Sequence, residues 1–381
     1  TDDDGDVSFR EIYELSHRFA AFIRSMGLSK GDPILVILPN SSWYAIAFLG
    51  AALIGCPLSG ISHHSTIEEI RYCARLSGAA AVVCCPENFT KVFGKLDLQK
   101  ILVICSPKND PEMSASCVVP RDLPPWHDDL HNAYDDVNIG MDNPLLLPFS
   151  SGTGGKQRCV ILTHKNYSSA TAILKRALFD ELVVSSRRRT VAVLPFYHAS
   201  GFWAFLYCLL DGCHTIIMKT FHPISMLRIV QKYEIDTLNV VPSILSFLCR
   251  VDVDGFDVSS LSTVLCGSSP LGKELINSFL TKFPGVQNLI QGYGMTEVVL
   301  LSHITPLGII DERRLGSCGK LLPGFEAILR DENGRLIHDP NCSGELYIKS
   351  PTVMRGYLNS ENDQEPFDQD GWFRTGQLRV S

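Results

Sequence analysis

The sequence predicts an α/β protein with mainly parallel sheets, followed by a small all-β unit. From Asp32 onwards, short β-rich runs alternate with helical runs, and this alternation is typical of parallel strands joined by crossover helices. After residue 305 the pattern changes to short alternating strands with Asn-Gly and Pro turns. A chain of 381 residues also exceeds one ordinary hydrophobic core, so two or three lobes are expected. We therefore expect α/β lobes over 1–305 and a β module over 306–381.

The first part of the chain contains the elements of one lobe. The apolar run at 33–39 precedes a helix predicted over 42–54, and a second helix is predicted over 66–77. Two further apolar runs follow, "AAAVVCC" and "ILVIC". Residues 106–142 are polar and rich in Pro, Asp and Asn, which indicates a long connecting loop.

The second part repeats the alternation. A helix is predicted over 166–180 with Asn166 as its N-cap. The strand-like runs on either side of that helix are "LLLPF", "CVIL", "TVAVLPF", "HTIIM", "DTLNVV", "STVLC" and "QNLI". The runs of the β module are "FEAILRDENGRLIHDP", "GELYIKS" and "MRGYLN".

The composition excludes several protein classes. The chain is 45% hydrophobic and 20% charged, as expected for a globular enzyme rather than a disordered chain. A net charge of −7 without a long basic block gives little support to nucleic-acid binding. Thirteen cysteines without paired metal-ligand spacing favour buried thiols in a reducing compartment over disulfides or a zinc site. The longest apolar stretch, 43–56, is too short to span a bilayer, and we expect the acidic start not to act as a signal peptide.

A loop rich in hydroxyls and glycine separates two strand-like runs at residues 150–158. Backbone N–H groups, hydroxyls and the cations Lys156 and Arg158 are the groups that surround phosphate oxygens. The alternative is a flexible surface hairpin. Gln157 breaks both the Walker pattern and the dinucleotide-binding fingerprint, so the loop is neither of these.

Three other turns follow predicted strands, where ligands bind in open α/β sheets. These turns span 197–201, 267–272 and 291–297. Each has a structural alternative: His198 as a core histidine, Gly267 to Gly272 as an ordinary helix start, Tyr293 as a packing aromatic and Glu297 as a helix-start carboxylate. Together with the loop, they supply phosphate donors, an aromatic plate and a carboxylate, a set that suits Mg²⁺ and a nucleoside triphosphate.

Six ordered motifs resemble the adenylate-forming superfamily, and the branch with 4-coumarate:CoA ligase, firefly luciferase and fatty acyl-CoA synthetase is the most similar. The motifs are "SSGTGGKQRCVILTHKN", "GSSPLG", "QGYGMTE", "GSCGKLLPGFEA", "GELYIKSPTVMRGYLN" and "GWFRTGQL". The resemblance implies a large N-terminal domain of two αβαβα-type lobes and a distorted β-barrel. It also implies a small mobile C-terminal domain, which we expect to be missing after Ser381 together with its catalytic lysine.

The resemblance further implies a two-step reaction with ATP, Mg²⁺ and CoA in which a carboxylic acid becomes an acyl-adenylate and then a thioester. His198, Thr296 and Glu297 would be catalytic, and Glu297 would bind Mg²⁺. The acid would contact His198, Ser200, Gly201, Gly292, Gly294 and Met295. Nucleotide binding would involve Ser150, Ser151, Gly152, Thr153, Gly154, Gly155, Arg158, Gly267, Ser268, Ser269, Pro270, Gln291, Gly292, Tyr293, Gly294, Met295, Thr296 and Gln377.

The chain departs from the family pattern at several of these positions. Gly154, Gln157, Arg158 and Cys159 replace the family's Thr, Pro, Lys and Gly in the loop, and Gln377 replaces a ribose-binding aspartate. Ser200 stands where the coumarate ligase and luciferase branches commonly have an aromatic residue, which favours medium- or long-chain fatty acids over coumarate. Two alternatives stay open, a pseudoenzyme that holds nucleotide or acyl chains and a luciferase-like oxidase. The expected compartment is the cytoplasm or the peroxisome.

Overall fold

A computed structural model of the chain has the predicted α/β architecture. The residues it describes are 1–2, 5–92, 94–96, 100–104, 117–118, 123–151, 157–180, 182, 188–308, 317–359 and 366–380.

The α-helices within this part of the chain cover the faces of the sheets. They are α1 (Phe9–Ser25), α2 (Ser42–Leu53), α3 (Ile67–Ser77), α4 (Pro86–Val92), α5 (His164–Leu174), α6 (Ala199–Leu210), α7 (Pro223–Tyr233), α8 (Pro242–Arg250) and α9 (Lys273–Lys282). Local sequence fixes several starts, because Ser8 with Glu11 and Thr66 with Glu69 form reciprocal capping boxes at α1 and α3. The predicted helices over 42–54 and 66–77 are confirmed as α2 and α3.

The strands within the same residues are short. They are β1 (Ile34–Ile37), β2 (Leu58–Gly60), β3 (Ala81–Cys84), β4 (Lys100–Ile104), β5 (Cys117–Val118), β6 (Pro144–Leu146), β7 (Phe149–Ser151), β8 (Gln157–Thr163), β9 (Arg189–Ala192), β10 (His214–Ile217), β11 (Thr237–Val240), β12 (Thr263–Cys266), β13 (Asn288–Tyr293), β14 (His303–Ile304), β15 (Lys320–Leu321), β16 (Glu326–Arg330), β17 (Leu336–Ile337), β18 (Ser343–Lys349), β19 (Gly356–Leu358) and β20 (Phe373–Val380).

Two large sheets form the lobes. The first has the order β19-β8-β6-β2-β1-β3-β4-β5 with β7 beside β8, and its strands from β6 to β5 are parallel. The second has the order β10-β9-β11-β12-β13-β14-β15 and is parallel from β10 to β13. Because β9, β11, β12 and β13 run in one direction, their carboxyl ends lie at one edge of the second sheet.

The remaining sheet is small and antiparallel, in the order β17-β16-β18-β20. Among the described strands no pairing closes it into a barrel. Two strands that follow residue 305 belong instead to the large sheets, since β15 pairs with β14 and β19 pairs with β8. The division into separate units at residue 305 stays a prediction.

The start of α5 differs from the sequence prediction, which made Asn166 the N-cap of a helix over 166–180. The N-cap is Thr163, whose hydroxyl accepts from the Asn166 N–H. Asn166 is the third helical residue, and its carboxamide oxygen accepts from the Thr163 N–H at 2.9 Å. The prediction was wrong because Asn suits both positions of a capping box. A π-helical turn, Lys175–Phe179, continues the helix beyond α5.

The two lobes are joined by a buried amide in the segment between β1 and α2. The Asn40 carboxamide donates to the carbonyls of Leu194 and Met218, at 3.0 and 3.2 Å, and accepts from the Phe196 N–H at 2.9 Å. A residue of the first lobe thereby fixes the turn that follows β9 in the second lobe. The largest hydrophobic cluster extends across both lobes and includes Tyr44, Phe48, Phe196 and Phe202.

Within the described part of the chain, the structure contains no helix that is both long enough and apolar enough to cross a membrane.

Candidate functional site

A cavity of about 530 Å³ lies at the carboxyl ends of β9, β11, β12 and β13. Its wall includes the turns that follow these four strands, together with one face of α6 and the apolar side chains of Leu174, Leu178 and Phe179. The turns at 197–201, 267–272 and 291–297 therefore each contribute residues to one cavity. A cleft at the carboxyl ends of parallel strands is the usual position of a ligand in an open α/β sheet.

Eight of the predicted site residues line this cavity: His198, Ser200, Gly267, Ser268, Gly292, Gly294, Met295 and Thr296. The other described candidates lie outside its wall, in the groups treated below. Gly152, Thr153, Gly154 and Gly155 lie outside the described residues, as does Lys156.

The α6 helix presents one face to the cavity. Ser200, Trp203, Ala204 and Cys208 line it, at the spacing expected for a single helical face. His198 caps the start of the helix at the mouth. Neighbouring protein atoms lower the pKa of the His198 imidazole, which favours its neutral form, although the ring stays accessible to solvent. The helix thus leads from the imidazole at its start into an apolar interior.

Gly201 has a role in packing rather than in the cavity wall. A Cβ atom at this position would lie 2.3 Å from the Pro195 carbonyl oxygen and 2.9 Å from that of Leu194. Only glycine lets the first turn of α6 approach the chain after β9 so closely.

The turn after β13 carries Thr296 and Glu297 in a short 3₁₀ helix, Thr296–Val298. Two non-glycine residues beside the cavity have left-handed backbones, Val299 at φ 70° and Ser268 at φ 78°. For a β-branched residue such as Val299 this conformation is strained, and such strain concentrates at functional sites. Packing around the turn that holds Glu297 therefore keeps its backbone in a conformation that the local sequence disfavours.

Glu297 is buried, and two of its groups bond to the chain near β19. Its carboxylate oxygen Oε1 accepts from the Tyr357 hydroxyl at 3.0 Å, and its carbonyl accepts from the Met354 N–H at 2.7 Å. The described residues contain no group of three or more His, Cys, Asp or Glu side chains that suits a metal. A single carboxylate still fits Mg²⁺, because this ion usually takes one or two carboxylates together with substrate phosphates.

The strands on either side of the predicted phosphate loop lie next to Glu297. Both β7 and β8 contact the Thr296–Val298 turn, so these two strands and the carboxylate belong to one region. The Ser150 hydroxyl on β7 is buried and has no hydrogen-bond partner among the described residues. Ser151, the last residue of β7, pairs with Gln157 across the loop.

Two of the residues that depart from the family pattern, both at the start of β8, contact side chains elsewhere in the protein. The Gln157 carboxamide oxygen accepts from the Cys73 thiol at 3.2 Å, which attaches the start of β8 to α3. The guanidinium of Arg158 lies 5.0 Å from the centre of the Tyr357 ring, within the range of a cation–π contact. Arg158 is therefore engaged with the protein at the point where the family has lysine.

The remaining candidates surround the cavity without lining it. Ser269 and Pro270 are exposed on the turn after β12. Gln291 is buried in β13, and its side-chain nitrogen has no acceptor among the described residues. The Tyr293 ring stands 5.6 Å from the ring of His303, centre to centre. Gln377 lies on β20, in the small sheet, with its backbone N–H 3.2 Å from the Thr375 hydroxyl.

Sequence reasoning missed Tyr357. This residue belongs to one of the quoted motifs, "MRGYLN", but nothing local to the motif points to Glu297, which is 60 residues away in the chain. The pairing of β19 with β8 brings the two side chains together.

Comparison with known proteins supplies the family. The profile of the AMP-binding enzyme family matches residues 1–358. The chain is 30% identical over 379 residues to 4-coumarate--CoA ligase 1 of Petroselinum crispum, a match that covers 97% of this chain and 68% of the relative.

Solved structures share the fold. The inhibitor-bound N-terminal domain of FACL13 from Mycobacterium tuberculosis superposes with a TM-score of 0.80 at 22% identity, covering 99% of this chain and 91% of that one. Apo MatB from Rhodopseudomonas palustris gives a TM-score of 0.82 at 21% identity, covering 99% of this chain and 72% of that one. These matches confirm the resemblance inferred from the six motifs: the chain belongs to the adenylate-forming family of AMP-binding enzymes.

Proposed function

We propose that this chain activates a carboxylic acid with ATP and Mg²⁺ as an acyl-adenylate, for transfer to the thiol of CoA. The observation that carries the proposal is the cavity, where Thr296 and the glycine-rich turns adjoin an apolar channel along α6. A nucleotide and an acyl chain need these two environments side by side. The relatedness to 4-coumarate:CoA ligases supports the same reaction class.

In the proposed reaction, a carboxylate oxygen of the acid attacks the α-phosphorus of ATP and pyrophosphate leaves. The Thr296 hydroxyl would donate to the α-phosphate, where negative charge increases in the transition state. Glu297 would hold Mg²⁺, which neutralises charge on the phosphate oxygens. In the second step the CoA thiolate attacks the acyl carbonyl, AMP leaves, and the thiol proton passes to solvent. His198, neutral at the mouth, would line the path between acid and nucleotide.

Acid-dependent exchange of pyrophosphate into ATP tests this proposal. The protein is expected to catalyse the exchange with Mg²⁺ and a suitable acid and to be inactive without the acid. ATP that binds with no exchange for any acid in a broad panel would overturn the proposal in favour of the pseudoenzyme.

The cavity along α6 supports a flexible fatty acid as the substrate. Ser200 and Cys208 are eight residues apart, which corresponds to a channel of about 12 Å at ~1.5 Å per residue. Its side chains are mainly apolar, and the small Ser200 and Ala204 leave room near the mouth. An alkyl chain gains roughly 0.8 kcal/mol for each methylene that it buries there. We therefore favour medium- or long-chain acids over coumarate.

Replacing Ala204 by Phe is expected to shorten the acids that the protein accepts. Ala204 lies halfway along the channel, so an aromatic ring there would displace about four methylenes, equivalent to ~3 kcal/mol or about a hundredfold in kcat/KM for dodecanoate. The measurement is pyrophosphate exchange with butyrate, octanoate and dodecanoate. Leu210→Phe, on the same helix but 65% exposed, is the control and should change nothing. Unchanged chain-length preference in Ala204→Phe would place the acyl chain elsewhere.

Replacing Gln377 by Asp is expected to tighten ATP binding about tenfold, or ~1.4 kcal/mol. A carboxylate accepts from both ribose hydroxyls with charge assistance, whereas the amide offers one acceptor oxygen. Calorimetry with ATP and with dideoxy-ATP separates this cause from a general charge effect. The gain should be confined to ATP, and an equal gain for both nucleotides would remove Gln377 from the ribose site.

The second candidate is a pseudoenzyme that binds nucleotide or acyl chains without turnover. Two observations favour it: Gln377 lacks the charge of the family aspartate, and Arg158 contacts the Tyr357 ring at the position of the family lysine. The exchange assay above distinguishes the two candidates, because only the enzyme returns pyrophosphate to ATP.

A further inference from the structure

We propose that Tyr357 is a positioning residue that orients the Glu297 carboxylate, with Arg158 holding the tyrosine side chain. The inference rests on the proposed function, in which Glu297 holds Mg²⁺. Its direct basis is the hydrogen bond of 3.0 Å from the Tyr357 hydroxyl to Glu297 Oε1. Within the described residues, the other carboxylate oxygen has no such bond, so Tyr357 determines which oxygen stays available.

Tyr357 is itself held in place by the backbone around it. It pairs with Val160 in the antiparallel pairing of β19 and β8. The chain before it is anchored by Asn166, whose side-chain amide donates to the carbonyls of Pro351 and Val353 at 2.9 and 2.8 Å. The segment from residue 351 to 358 therefore positions a hydroxyl against a carboxylate that belongs to the other lobe.

The phenol is suited to act as a donor to the carboxylate. The Tyr357 side chain is partly buried, and its hydroxyl donates to Glu297 Oε1. A hydrogen bond to one oxygen fixes the plane of the Glu297 carboxylate. Hydrogen bonds that orient a metal ligand in this way are commonly worth a tenfold to hundredfold change in metal affinity.

Arg158 connects this pair to the phosphate loop. Its guanidinium is 5.0 Å from the Tyr357 ring centre and is hydrogen-bonded to the tyrosine side chain. Arg158 lies at the start of β8. Its contact with Tyr357 therefore links this strand to Glu297. A guanidinium can lie flat over a ring while donating at its edge, which the ammonium of the family lysine cannot do.

The small sheet contains a matched arrangement outside the cavity. The Tyr347 hydroxyl donates to Glu345 at 3.3 Å, and the Arg330 guanidinium lies 5.1 Å from the centre of its ring. Tyr347→Phe therefore removes the same kind of bond, beside the same kind of cation. Any effect of Tyr357→Phe that Tyr347→Phe does not share belongs to the site.

The test measures metal binding in the presence of ATP. The paramagnetic signal of Mn²⁺ reports the metal affinity, and calorimetry compares ATP binding with Mg²⁺ and with EDTA. Tyr357→Phe is expected to weaken Mn²⁺ binding about tenfold to thirtyfold and to weaken ATP binding only when metal is present. Tyr347→Phe should bind metal and ATP as the unaltered protein does. Unchanged metal affinity in Tyr357→Phe, or an equal loss of ATP binding with and without metal, would overturn the inference.

Glu297→Gln and the double variant separate this inference from the proposed function. If Glu297→Gln abolishes the metal dependence and Tyr357→Phe adds nothing to it, both residues act through one ion and the inference is supported. If Glu297→Gln lowers metal affinity while Tyr357→Phe does not, the positioning role is wrong but the metal site stands. If Glu297→Gln leaves metal affinity unchanged, the metal site of the proposed function is wrong, and the inference is overturned with it.

Discussion

Replacing Glu297 by Gln is expected to lower the rate of acyl-adenylate formation by about two to three orders of magnitude, the usual cost of removing one group that stabilises transition-state charge. The substitution keeps the size of the side chain and an oxygen that can accept from Tyr357, but removes the charge that Mg²⁺ requires. The predicted loss therefore reports on charge rather than on packing. The measurement is hydroxylamine trapping of the acyl-adenylate at saturating ATP.

Glu345→Gln provides the control for this prediction. Glu345 also accepts from a tyrosine hydroxyl, but it lies in the small sheet and forms an ion pair of 3.6 Å with Arg374. Its replacement should leave adenylation within about twofold, because partly exposed ion pairs contribute little. If the Glu297 and Glu345 variants lose activity to the same extent, Glu297 has no special part in the reaction.

Replacing Gly201 by Ala is expected to destabilise the protein by about 2 kcal/mol. In an open helix the same substitution would stabilise by ~1 kcal/mol, because glycine is the poorer helix former. Here the added carbon would lie 2.3 Å from the Pro195 carbonyl oxygen, and relieving such overpacking in a core costs up to ~3 kcal/mol. The clash outweighs the helix propensity, and α6 would move away from β9 with His198 and Ser200.

Urea unfolding of the Gly201→Ala protein, compared with that of Gly140→Ala, tests this balance. Gly140 is exposed, and a Cβ atom there would meet only Asn143 Oδ1, at 3.6 Å, so its variant should stay within about 0.5 kcal/mol of the unaltered protein. A Gly201→Ala protein as stable as the control, with acid affinity unchanged, would show that the first turn of α6 accommodates a Cβ atom at residue 201 and would contradict the prediction.

Elements that depend on local pattern were predictable from the sequence. The alternation of strands and helices gave the parallel lobes, since each buried strand such as Ala81–Cys84 carries its own apolar signal. Turns at strand ends could be grouped because parallel strands share one edge, and His198, Gly267 and Thr296 do line one cavity. Asn166 shows the limit of such reasoning. Both Thr163 and Asn166 suit the N-cap position, and in the structure Thr163 is the N-cap while Asn166 is the third helical residue.

Features that depend on long-range pairing were not predictable from local pattern. Nothing near residue 357 indicates that β19 joins the first sheet, so the contact of Tyr357 with Glu297 was missed. Gly201 was expected to contact substrate because it follows the motif histidine, whereas the structure shows it against the Pro195 carbonyl. In both cases tertiary packing, rather than sequence spacing, determines the neighbour.

The central claim is that a carboxylate oxygen attacks the α-phosphorus of ATP in this cavity. An acid labelled with oxygen-18 in its carboxylate tests the claim, because that oxygen becomes the bridge in the acyl-adenylate and leaves with AMP when hydroxylamine takes the acyl group. Mass spectrometry is expected to find labelled AMP in the same amount as the hydroxamate. Unlabelled AMP, or ADP in its place, would contradict the claim, since the bond formed to phosphorus would then come from water or involve the γ-phosphate.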